Sequence, residues 1–146
     1  MTAYTTYASG VTVADSAGSS AVGSPTRTVL RGFFDASKRN LTAADTMVVL
    51  TVPANTWVEQ CFVEVETIDA TQTVDIGDGD TADGWGEDLS LAVATTVHDP
   101  DADFNAAAGL AGKLYTAATD ILITVPTDKA LDTAKFKVIM PATLLG

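Results

Sequence analysis

Positive charge is what this chain has least of. Its 146 residues carry 8 Lys and Arg against 19 Asp and Glu, a formal net charge of −11. The shortage is concentrated: no base occurs between Arg39 and Lys113, and 14 of the 19 acids lie in that interval. Such a surface repels phosphate backbones and anionic headgroups, so binding to nucleic acid or to a membrane surface is disfavoured. Cysteine is nearly absent. With Cys61 alone, no intrachain disulfide can form, and a zinc site built mainly from thiolates is ruled out. Histidine is as scarce, with His98 the single example. No apolar run approaches the roughly 20 residues that a membrane-spanning helix needs. Nor does the chain open on a basic segment followed by an apolar one, so no secretory signal is expected.

What is present suffices for a packed core. Hydrophobic residues make up 47% of the chain, and a domain of this size buries roughly 68–70% of its extended-chain surface. Residues 1–26 stand apart, being rich in Thr, Ala, Ser and Gly and interrupted by Gly10, Gly18, Gly23 and Pro25. They read as an extended N-terminal arm. Two readings of it stay open: a disordered terminus, or an arm ordered on a neighbouring subunit with Tyr4, Tyr7, Val11 and Val13 as anchors.

From residue 27 to 146 the pattern is that of strands. Thr28–Asp35, Met47–Val52, Trp57–Thr67, Thr71–Ile76, Lys113–Tyr115, Thr119–Val125 and Ala134–Met140 are short β-rich runs separated by turn residues. Trp57–Thr67 shows the clearest period-two alternation, which puts Cys61 on one face with Trp57, Val63 and Val65. Ser90–Val97 fits a strand or a short helix equally well. About seven or eight short strands without a long helix predict an all-β fold, an antiparallel β-sandwich of jelly-roll-like form.

Chemistry is concentrated in one stretch, Thr73 to Trp85, TVDIGDGDTADGW. Asp75, Asp78, Asp80 and Asp83, spaced by glycines, supply oxygen ligands of the kind that Ca²⁺ favours, although the EF-hand spacing is missing. The plainer reading is turn chemistry, with Gly77, Gly79 and Gly84 free to take positive φ and the aspartates capping turns. No other cofactor is indicated. His98 lies in VHDPDAD without a serine in a nucleophile elbow, and IGDGDTADG lacks the lysine of a phosphate-binding loop, so no enzyme activity is expected.

The same stretch carries a resemblance. TVDIGDGDTADGW, followed by GKLYTAATDILITV and the closing AKFKVIM, resembles small head proteins of tailed bacteriophages, and FDASKRNLTAADTMVVLTVPANTWV is similar to their first half. The match runs from Arg31 to Pro141. It implies a capsid decoration, or cement, protein of β-sandwich fold, located on the virion surface after synthesis in the bacterial host cytoplasm. The partners implied are the major capsid protein and further copies of the chain, commonly as a homotrimer. The alternative is a receptor- or glycan-binding virion appendage that uses the acidic loop with Ca²⁺ and an exposed aromatic such as Trp85.

Overall fold

The computed structural model of the chain describes residues 25–106, 112–126 and 130–146. The expected arm, including Tyr4, Tyr7, Val11 and Val13, lies outside the described residues except for its last two positions. Among those described are ten strands and one helical turn: β1 (Thr26–Asp35), β2 (Thr46–Val52), β3 (Thr56–Val58), β4 (Phe62–Thr67), β5 (Thr73–Gly77), β6 (Gly86–Ser90), β7 (Thr96–Val97), α1 (Asp103–Ala106), β8 (Lys113–Tyr115), β9 (Thr119–Thr124) and β10 (Lys135–Leu144). They form two antiparallel sheets. One has the order β2-β9-β5-β6; the other runs β7-β4-β10-β3-β8, with β1 along the opposite edge of β10.

The alternation of β10 shows why the sheets face each other. Phe136, Val138, Met140 and Ala142 are wholly buried, while Lys135, Lys137 and Ile139 between them are only partly covered. On the opposing sheet Val52, Val74, Ile76, Ile121 and Ile123 are equally buried, and all belong to one continuous core. Burying two apolar faces against one another removes both from water, at roughly 25 cal/mol per Å² of apolar surface. The fold is therefore the expected all-β sandwich.

The strand count exceeds the seven or eight expected, for identifiable reasons. The run from Trp57 to Thr67 is two strands. β3 pairs with the end of β10 (Val58 opposite Ala142) and β4 with its start (Phe62 opposite Ile139), so four steps on one side match three on the other. The extra residue is a bulge, and it reverses the parity: Val58 is buried before the break, and Cys61, Val63 and Val65 after it. Trp57, expected on the Cys61 face, is thus on the other. Pro141 accounts for the position of the break. Its carbonyl accepts the Glu59 N–H at 2.9 Å, so its missing N–H faces the same edge, where a regular ladder would require a donor. The prolyl residue also ended the expected last strand at Met140, yet β10 continues to Leu144, because β1 pairs along its other edge throughout. β6, reading GEDLS, has no alternating pattern to announce it. Of the ambiguous Ser90–Val97, only the ends are strand.

Cys61 is fully buried, and burial pushes its thiol well above the ordinary range. It is a core residue, as expected from its alternation with Val63 and Val65.

Candidate functional site

The turn that leaves β5 is built around Asp78, 2% exposed. One carboxylate oxygen accepts the backbone N–H groups of Asp80 (3.0 Å) and Thr81 (2.9 Å), which closes the loop on itself. The other accepts the Lys113 ammonium (2.7 Å) and the Tyr115 hydroxyl (2.8 Å), both from β8 of the other sheet. The Trp85 indole N–H then donates to the Tyr115 oxygen at 2.9 Å. Lys113 lies 4.4 Å from the centre of the Phe104 ring, and Phe104 packs edge-on against Trp85 at 5.1 Å. Four segments are fastened here: the β5 turn, Trp85, α1 and β8.

Burial alone would push the Asp78 carboxyl up. The bonds from Lys113, Thr81, Tyr115 and Asp80 outweigh it, so its pKa lies below the usual carboxylate range. Burial pushes the Tyr115 phenol up, and the bond to Asp78 adds to the effect. Tyr115 is thus held protonated, as donor to a carboxylate held charged. The Asp78 carboxylate accepts four hydrogen bonds and the Tyr115 hydroxyl both donates and accepts, which makes the network a structural lock.

The other three aspartates go elsewhere. Asp75 projects from β5 and accepts the Asp88 N–H at 2.8 Å. Burial, together with the carboxylates of Asp88 and Asp83, pushes its pKa up. Asp83 joins Glu87, Asp88, Asp99, Asp101 and Asp103 around a cleft of about 440 Å³. One of these acids serves the backbone: Asp99 accepts the N–H groups of Glu87 and Asp101. Asp80 borders a second cleft of about 260 Å³, beside Lys113 and Thr119. Asp78 lines this second cleft with Asp80, whereas Asp83 lies at the first, and among the described residues no group of three or more His, Cys, Asp or Glu side chains is placed to hold a metal ion.

The glycines of this turn act differently from the sequence expectation. None of Gly77, Gly79 and Gly84 has positive φ. Gly77 and Gly84 are needed for close approach: a Cβ would fall 2.1 Å from the Thr81 carbonyl oxygen at the first and 2.2 Å from the Phe104 ring at the second, while Gly79 faces open space. A further correction concerns Trp85, expected as an exposed aromatic for glycan stacking. It is fully buried, because its ring fills the space between Phe104 and Tyr115. His98 stacks on Phe62 with ring centres 4.8 Å apart and meets the Asn105 amide at 3.3 Å.

Lys113 and Tyr115 were not foreseen as partners of Asp78. They lie 35 and 37 residues away in the chain, and the available signal, two polar-capable side chains at i and i+2 on one short strand, says that they share a face without saying what that face meets.

The architecture defined here is a two-sheet antiparallel sandwich locked by an interior acid–base–tyrosine network. No protein-family model matches the chain, and a search of curated proteins gives no match. Among solved structures, the fold is similar to that of a chain in the cyanophage Pam1 capsid asymmetric unit, with a TM-score of 0.58 and 16% identity over 84% of this chain and 86% of that one. A chain from the acidic stable capsid of Helicobacter pylori bacteriophage KHP30 matches at a TM-score of 0.46 and 13% identity, over 84% of this chain and 94% of that one. At 16% identity the property shared with the Pam1 chain is the fold.

Proposed function

We propose that this chain is a structural virion protein of a tailed bacteriophage that binds the outer surface of the assembled capsid and stabilises it, as a homotrimer and without enzymatic activity. The observation that carries the reading is the extent of the fold match to a Pam1 capsid chain, which spans 84% of one chain and 86% of the other. The motif resemblance around Thr73–Trp85 points the same way from the sequence side. The interior supports a mechanical role, since Asp78, the one buried carboxylate of the Asp-rich loop, is spent on locking two sheets together. The acidic exterior suits a partner on the solvent side of a shell and not the packaged DNA.

Co-sedimentation with assembled capsids tests the reading, with binding saturating at a fixed copy number per shell expected. Shells that pellet without the protein at micromolar concentration would remove it. Deletion of residues 1–26 is expected to weaken attachment, and unchanged attachment would separate the arm from the function of the domain.

A further inference from the structure

β1 is an edge strand of ten residues, paired with β10 on one side and with no strand on the other among the described residues. A long edge of unpaired backbone groups is a template for another chain, and proteins ordinarily blunt it with charge, proline or a covering loop. Here the outward side of β1 mixes the two: Arg27, Arg31 and Asp35 alternate with Val29 and Phe33, whose apolar side chains stay open to water. Phe33 is 52% exposed and Val29 40% exposed. Across the ladder Phe33 sits opposite Lys137, Arg31 opposite Ile139 and Val29 opposite Pro141, and Ile139 in turn faces Phe62 of β4. The apolar surface therefore continues from the edge onto the sheet.

The charges of this face identify its occupant. Arg27 pairs with Glu59 at 2.8 Å, Lys135 with Asp35 at 3.9 Å, and Lys137 with Glu66 at 3.2 Å and Glu64 at 3.8 Å. With Arg31 included, the face sums to zero on a chain whose total is −11. A strongly basic or acidic partner gains little from a neutral face. A second copy of this chain gains most, since approach through the acidic clefts would bring like charges within a Debye length of roughly 8 Å, and approach through this face does not.

We infer that the outer face of the six-stranded sheet, centred on Phe33 of the open edge strand, is where a second copy of this chain docks. The inference rests on the oligomer within the proposed function and not on the capsid. Sedimentation velocity on the full chain tests it. The unmodified protein is expected to associate at micromolar concentration. Phe33→Glu and, separately, Val29→Glu are expected to weaken association at least tenfold with unchanged circular dichroism and melting, because both side chains are exposed and outside the core. Val93→Glu, on the equally exposed turn between β6 and β7, is expected to leave association intact.

A monomeric unmodified chain overturns the inference. So does an oligomer indifferent to both β1 substitutions, which would place the contact elsewhere while sparing the oligomer. A monomer that begins to associate only when residues 1–24 are removed also overturns it, with the chain's own N-terminal segment as the occupant. Capsid co-sedimentation fails or succeeds independently: a monomer that still binds shells removes this inference and leaves the virion role.

Discussion

Asp78 shows how one side chain can decide the behaviour of a whole loop. It accepts two backbone N–H groups, an ammonium and a phenol, so its removal strands several polar groups at once. Asp78→Ala is expected to cost about 3 kcal/mol in chemical denaturation, less than a wholly buried ion pair would because Lys113 retains some contact with water. The pH dependence follows from its lowered pKa. A carboxyl with a depressed folded-state pKa contributes stability that is fully present above its unfolded value, near 4, and is lost as pH falls through the folded value. Wild-type melting temperature should therefore drop below about pH 4, and in Asp78→Ala that part of the drop should vanish. Asp75 has the opposite sign. Its pKa is raised, so the folded state carries a penalty at neutral pH that protonation relieves. Asp75→Asn, which keeps the oxygen that accepts the Asp88 N–H, should raise the melting temperature at pH 7 and lose that advantage as pH enters the carboxylate range.

At the scale of elements, the β5–β6 connection is shaped by packing and not by unusual backbone angles. Gly77→Ala would put a methyl group 2.1 Å from the Thr81 oxygen, and backbone there cannot move without disturbing the Asp78 bonds. A loss of about 2–3 kcal/mol is expected. Gly79→Ala meets nothing and should stay within about 0.5 kcal/mol of wild type. Equal losses at both positions in urea titrations would return the explanation to backbone conformation. The bulge opposite Pro141 belongs to the same scale. A missing donor in a central strand moves the break to one place in the partner and turns one run of residues into two strands with opposite parity.

For the whole molecule, the governing quantity is the net charge of −11. Excess like charge opposes the compact state, and salt screens it. Raising NaCl from about 0.01 to about 0.15 M, which shortens the Debye length from roughly 30 to 8 Å, should raise the melting temperature. A fall over that interval would mean that attractive surface pairs such as Arg27–Glu59 outweigh the net repulsion. The same screening should strengthen association between copies, since the neutral face around Phe33 has little to lose by it.

The sequence by itself determined the fold class and most of the strands. Period-two alternation in Ala134–Met140 reports which side chains are buried, and that pattern is a local property imposed by the pleat. It also determined that Cys61 is core, and for the Asp-rich loop it offered both a turn and a cation site. What it left undecided depends on partners far along the chain. Whether Trp85 points in or out, which side chains Asp78 bonds, and why Gly77 must be glycine are all decided by Lys113, Tyr115, Phe104 and the Thr81 carbonyl. Tertiary structure alone decides these, because a buried charge is stable only where a specific partner reaches it, and no local pattern records which partner the second sheet will bring.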